Sequence, residues 1–138
     1  MGDDRRAARV DIEELYARYA WALNDRDWPA WEACFTPDAV IDNTTAGGVV
    51  GSRSELSRFL ATTLAGFELL INAISNLTVS FNDDGTVTSR AMFTVTMKMA
   101  GPPPAYMVAR GWYRDLLEET EQGWQIADRV ETLVDLQA

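Results

Sequence analysis

The apolar periodicity of this 138-residue chain changes once, at Phe67, and that change constrains the fold more than any other feature. Before it, apolar side chains recur at the spacing that lines one face of a helix. After it, β-branched and aromatic residues take over in the pattern of strands. Three helical segments ahead of four long strands do not make alternating strand–helix–strand units. The order calls for an α+β fold, with the helices packed in a curved, mixed, mostly antiparallel sheet.

The local signals fill in that plan. Ile12, Leu15, Tyr16, Tyr19 and Leu23 share a helical face, which predicts a helix over 9–24 with Asp11 as a cap near its start. Asn24-Asp25-Arg26 ends it. Asp27 precedes Trp28-Pro29, and a proline in the first turn predicts a second helix to about residue 34. Thr36-Pro37-Asp38 reads as a turn, 39–43 as a short alternating strand, and Gly47-Gly48 and Gly51 as breaks. Ser52 and Glu55 have the spacing of a capping box, so a third helix should run to about residue 64. Segments 68–81 and 86–100 flank Asn82-Asp83-Asp84-Gly85 as a long hairpin. Strands over about 105–117 and 124–134 follow. A strongly curved sheet around the helices forms a cone-shaped barrel open at one end, whose apolar interior suits a small hydrophobic molecule. Residues 1–138 read as one domain, long enough for one core and too short for two.

Composition narrows the partners. A net charge of −9 argues against nucleic acid and against anionic membranes. No apolar run approaches the roughly 20 residues that cross a bilayer, and the charged start lacks the core of a signal peptide, so a cytoplasmic protein is expected. There is no histidine, and Cys34 is the only cysteine. With no basic partner at hand, Cys34 is expected to be a buried structural thiol rather than a nucleophile. No metal site and no cofactor are expected: the carboxylates are not spaced as a calcium loop, and no phosphate-binding or dinucleotide glycine motif occurs.

Four motifs carry a family resemblance. They are Tyr16-Ala17-Arg18-Tyr19; Asp27-Trp28 followed by Phe35-Thr36-Pro37-Asp38-Ala39-Val40; Ser75-Asn76 before the hairpin; and Gly123-Trp124-Gln125-Ile126 with Arg129. In order and spacing the chain resembles the SnoaL-like and scytalone-dehydratase-like branch of the nuclear transport factor 2-like superfamily. That group holds ketosteroid isomerases, polyketide cyclases, dehydratases, an epoxide hydrolase and non-catalytic binding domains, so function does not come with the fold. The resemblance implies a homodimer through the sheet. It also implies a site residue by residue. Tyr19 falls where the isomerases keep their oxyanion tyrosine; their proton-moving Asp falls on Asn43, beside Asp42, and their protonated Asp near Gly111. The dehydratase's acid falls on Asn24 and its first catalytic His on Asn72. Arg90 lies near the epoxide hydrolases' Arg-Asp-Asp set, but Ala91 and Met92 follow it, while Asn43 resembles their water-positioning Asn.

The candidate catalytic residues are therefore Tyr19 and Asp42. The candidate substrate-binding residues are Tyr16, Asn24, Asn43, Asn72, Phe93 and Trp112. Alternation sets Ala39, Ile41 and Asn43 on one face and Asp42 on the other, so Asp42 reaches the pocket only through a bulge. Met92, Met97, Met99 and Met107 offer a soft wall for a bulky ligand. Two functions compete: a cofactor-free cyclase, isomerase or dehydratase acting on a polyketide- or steroid-like carbonyl compound, and a non-catalytic binding or dimeric scaffold domain. A carboxylate facing the cavity with a raised pKa separates them.

Overall fold

Ser52 starts a helix as the capping box predicts: its hydroxyl accepts from the Glu55 backbone N–H at 3.2 Å, and Glu55 accepts in return from the Ser52 N–H at 3.1 Å. In this computed structural model, which describes residues 2–138, that helix is α3, Arg53–Leu64. It is preceded by α1, Gly2–Asp25, and by α2, Trp28–Glu32. Asp27 caps α2 by accepting from the Ala30 N–H at 3.2 Å, with Pro29 in the first turn where its missing N–H costs nothing.

The six strands are β1, Phe35–Asp42; β2, Val50–Gly51; β3, Phe67–Phe81; β4, Val87–Met99; β5, Ala105–Thr120; and β6, Gly123–Gln137. They form one sheet in the order β2-β1-β6-β5-β4-β3, antiparallel throughout except where β1 runs parallel to β6. The sheet is mixed and open, with β2 and β3 as its edges. Register shifts in β3 and β6 sharpen its curl around the helices.

Three local readings differ from expectation, each for a local reason. Helix α1 begins well ahead of residue 9, because its first turns are exposed and carry no apolar face to betray them. Arg5 and Arg9 lie over the Phe81 ring at 5.4 and 5.1 Å and fasten this extension to the far end of β3. Asp11 consequently sits inside the helix rather than capping it. Thr36-Pro37-Asp38 is an irregularity within β1, where the register on β6 shifts between Phe35 and Val40. Pro37 cannot donate to a ladder, so the pairing breaks there without ending the strand.

The face of α1 read from periodicity is the core face: Ile12 and Leu15 are fully buried, and Tyr16, Tyr19 and Leu23 nearly so. They pack with Trp31, Phe35, Leu56, Tyr113 and Ile126 between the helices and the concave side of the sheet. Gly111 is required there. A Cβ would meet the Thr132 carbonyl at 2.0 Å and the Phe93 ring at 2.8 Å, so only glycine lets Phe93 lie flat across β5. Among the described residues no helix is long and apolar enough to cross a membrane.

Candidate functional site

The helices do not fill the cone. Between them and the sheet lies an open-mouthed cavity of about 250 Å³. Helix α3 supplies one wall with Leu56, Phe59, Leu60 and Leu64, and the sheet supplies the other with Leu70, Phe93, Val95, Met97, Met107 and Leu133. Met97 and Met107 are register partners, so two of the four methionines form the soft wall; Met92 stands on the opposite face of β4 and Met99 at its end, and both are exposed.

The polar groups gather at one end. Tyr19 from α1 and Tyr113 from β5 meet there, with the Tyr19 hydroxyl 3.4 Å from that of Tyr113. Glu131 is the cross-strand partner of Tyr113, so its side chain stands beside that ring on the concave face. Arg129 lies one alternation earlier on β6, its guanidinium stacked 3.8 Å over the Tyr113 ring and 4.4 Å over the Tyr19 ring. Tyr19, Tyr113, Arg129, Glu131, Trp31 and Asn43 all line the cavity.

Behind this end is a buried ion pair. Arg129 Nε and Nη2 donate to the two oxygens of Asp115 at 2.8 and 2.9 Å, with both side chains essentially without exposure. The Tyr16 hydroxyl donates to the same carboxylate and shares a 2.7 Å hydrogen bond with Ser89. Burial works against the guanidinium, but Asp115 outweighs it and holds Arg129 protonated. The pair is anchored on one side only: Arg129 Nη1 is buried with no hydrogen-bond partner, and the Trp31 indole N–H is turned to the Tyr19 hydroxyl.

Glu131 supplies the distinguishing carboxyl. It is half-buried. Desolvation pushes its pKa up to about 7, against the lowering influence of Arg129, and the Asp115 charge adds a further upward push. A carboxyl poised near neutrality can take a proton and return it. Tyr19 and Tyr113 are held above the ordinary phenol value, chiefly by burial, so they remain hydroxyl donors at neutral pH. The arrangement offers a base beside hydroxyl donors at the end of an apolar cavity.

The predicted residues divide by position. Tyr19, Asn43 and Phe93 line the cavity. Asn43 is partly committed: its Oδ1 accepts from the Val49 N–H at 2.9 Å and is seated so close to Gly48 that a Cβ there would overlap it. Asp42 stands on the other side of β1, where its Oδ1 accepts from the Thr44 hydroxyl and N–H; these bonds keep its pKa below the usual carboxylate range. No bulge turns it inward, and the geometry offers it no place as base in the cavity. Tyr16 lies behind the site as the prop of Asp115. Asn24 and Asn72 do not line the cavity: Asn24 Oδ1 accepts from the Asn72 backbone N–H at 2.7 Å, tying the end of α1 to β3, while the Asn72 side-chain amide is buried without a hydrogen-bond partner. Trp112 is on the convex face between Met92 and Thr132. Cys34 is buried and its thiol is pushed up to about 11 by burial, as suits a structural side chain.

Glu131, Tyr113, Arg129 and Trp31 had no assigned role from sequence. The available signal was the alternation Arg129, Glu131, Leu133 in a strand that also carries core residues; two charges on an inward face are improbable unless paired or functional. Among the described residues no three Cys, Asp or Glu side chains gather as ligands for one ion.

Residues 4–130 match the family model of the SnoaL-like domain. The chain belongs to the SnoaL-like domain family. A relative from Mycobacterium tuberculosis, itself uncharacterised, is 32% identical over 124 residues, covering 90% of this chain and 84% of its own. Among solved structures, a Novosphingobium aromaticivorans protein provisionally assigned as a scytalone dehydratase superposes with a TM-score of 0.86 at 16% identity, over 99% of this chain and 91% of that one. A hexachlorocyclohexane dehydrochlorinase superposes with a TM-score of 0.83, also at 16% identity, over 99% and 92%. At such identities the likeness is one of fold, with three helices against the same open mixed sheet. The chemistry of this SnoaL-like domain has to be argued from its own cavity.

Proposed function

We propose that this SnoaL-like domain is a cofactor-free enzyme that binds a small hydrophobic carbonyl compound and moves a proton on it, giving isomerisation, dehydration or cyclisation. One observation carries the reading: Glu131 faces the cavity with its carboxyl raised to about 7 and stands beside the Tyr19–Tyr113 hydroxyl pair. Glu131 as carboxylate removes a proton from the carbon next to the carbonyl. The electron pair moves into the new carbon–carbon double bond, and negative charge develops on the carbonyl oxygen. A tyrosine hydroxyl facing that oxygen bonds it more strongly as the charge grows, which lowers the barrier. Protonated Glu131 then returns the proton to another carbon, or to a leaving hydroxyl.

Dehydratase and dehydrochlorinase neighbours of the same fold are compatible with such proton abstraction. The proposal includes a homodimer packed through the convex sheet face, where Ile71, Met92 and Val130 are exposed. Catalysis is tested by hydrogen–deuterium exchange at the α-carbon of a panel of cyclic ketones, followed by NMR. Wild-type exchange should rise with pH through about 7, and Glu131→Gln should slow it by about 10²- to 10⁴-fold, the usual contribution of a general base. Equal exchange in the two proteins would leave the chain as a ligand-binding domain.

A further inference from the structure

The convex face of the sheet carries a cationic hollow that the cavity chemistry does not use. In a chain with 21 acidic and 12 basic residues, a cation on the surface has carboxylates to choose from. Arg110 pairs with Asp135, Arg129 with Asp115 and Lys98 with Glu68. Arg26 and Arg53 spend their guanidiniums on backbone carbonyls. Arg90 and Arg114 do neither. Both are exposed, they stand directly opposite each other on β4 and β5, and among the described residues neither guanidinium has an acceptor. Like charges so placed, about 5 Å apart at Cβ, destabilise the strand pair. No acid completes the row: Thr78 faces Arg90 from β3, Val130 faces Arg114 from β6, and Asp128 stands opposite Leu116.

Strand β3 is irregular at this same row. Between the pairs Ser75–Met92 and Thr78–Arg90 it carries two residues, Asn76 and Leu77, where β4 has only Ala91. Asn76 occupies the bulge at φ 57°, a left-handed conformation that asparagine tolerates better than most residues. Its amide and the Thr78 hydroxyl make no hydrogen bond with another described residue. Asn76, Thr78, Arg90 and Arg114 line one hollow of about 350 Å³, which Met92 and Trp112 complete with an apolar wall. A second hollow, lined by Ser80 and Thr88, continues past the two arginines. Uncommitted donors and two unpaired cations are therefore gathered beside an aromatic ring.

We infer that this hollow binds a small phosphate monoester with a planar organic body. The phosphate carries nearly two negative charges at neutral pH, which balance both guanidiniums, and each guanidinium fork matches two of its oxygens. The Thr78 hydroxyl and the Asn76 amide donate to the oxygens that remain. A single carboxylate leaves half of the positive charge uncompensated. A cavity of about 150 Å³ accommodates a benzene ring, so the hollow has room for the phosphate and for a ring against Trp112 and Met92. The site lies across the sheet from Glu131 and does not depend on the role of that residue.

The test is isothermal titration of the intact protein with phenyl phosphate, inorganic phosphate and benzoate at one fixed ionic strength, since salt screens exposed charges. Phenyl phosphate should bind about threefold more tightly than inorganic phosphate, the contribution of one aromatic contact, and at least about tenfold more tightly than benzoate. Arg90→Gln and Arg114→Gln should each weaken phenyl phosphate at least about tenfold, the low end for a hydrogen bond to a charged group. Arg110→Gln, at a guanidinium already tied to Asp135, should leave it unchanged. Without ligand, both hollow variants should melt no lower than wild type, because each removes one of two opposed like charges, so lost binding is not lost folding. Absence of phosphate binding, or equal weakening by Arg110→Gln, would overturn the site. Benzoate as tight as phenyl phosphate would overturn the phosphate, and inorganic phosphate as tight as its phenyl ester would overturn the planar body. In sedimentation velocity, Arg90→Gln/Arg114→Gln could instead dissociate a homodimer that phosphate leaves unaffected; the arginines would then belong to an interface between copies, and the inference would fall.

Discussion

Replacing Glu131 by Gln should make the protein more stable and less active over the same pH range. The carboxyl is raised from 4.5 to about 7, mainly by desolvation. A folded pKa above the unfolded one means that the native state holds the proton more tightly. Its contribution is fully present below the unfolded value and is lost as pH rises towards the folded one. Between pH 4.5 and 7 the wild type therefore loses stability that the Gln variant keeps. A shift of this size sets a ceiling of about 3.4 kcal/mol at about 1.4 kcal/mol per pH unit, and solvent screening of a half-buried side chain reduces the expected figure to about 2 kcal/mol. For a domain of this length that corresponds to about 6 to 8 °C in Tm. The assay is thermal denaturation by circular dichroism from pH 4.5 to 8.5, on both proteins in one buffer series. The curves should meet at the acid end, where both side chains are neutral, and diverge as pH rises. A pH-independent offset, or a Gln variant melting lower at pH 8.5, would refute the placement of an ionisable Glu131 in a desolvated site. Activity should move the other way in the wild type, increasing as the carboxylate forms.

Four other expectations follow from the same geometry. Tyr19→Phe removes a hydroxyl whose contact with Tyr113 is long at 3.4 Å, so stability should change by less than about 1 kcal/mol, while turnover should fall about 10²-fold if that hydroxyl bonds the reacting oxygen. Asp115→Ala strands a buried guanidinium and should cost about 3 to 5 kcal/mol in urea unfolding; a loss below about 1 kcal/mol would contradict the buried pair. Cys34, buried and raised to about 11, should resist a thiol reagent at pH 8 in the native protein and react fully once unfolded; rapid native labelling would count against its packing. Met92→Glu on the convex face should shift a homodimer to monomer in sedimentation velocity, with the cavity chemistry intact; an unchanged dimer would place the interface elsewhere.

What a sequence reveals here depends on how far apart the partners lie. The α3 capping box spans three residues and the Asn82–Gly85 hairpin spans four, so their geometry is written locally and both form as read. The inward direction of Asn43 and outward direction of Asp42 follow from the period of two along β1. The core face of α1 follows from its helical spacing. The family resemblance supplied the cone and set Tyr19 in it.

The chemistry depended on distant partners. Asn24 and Asn72 are 48 residues apart, and only folding spends the Asn24 amide on the Asn72 backbone. Tyr16 and Asp115 are 99 apart, Tyr19 and Tyr113 are 94 apart, and parallel pairing of β1 with β6 closes the wall that carries Asn43 and Glu131. Residue types and periodicities determined a curved α+β shell with an apolar interior, because propensity, capping and alternation act between near neighbours. Which of its acids could move a proton was decided by tertiary structure. Proton affinity is set by desolvation and by charges brought together in space, and for Glu131 those are the cavity, Arg129 and Asp115.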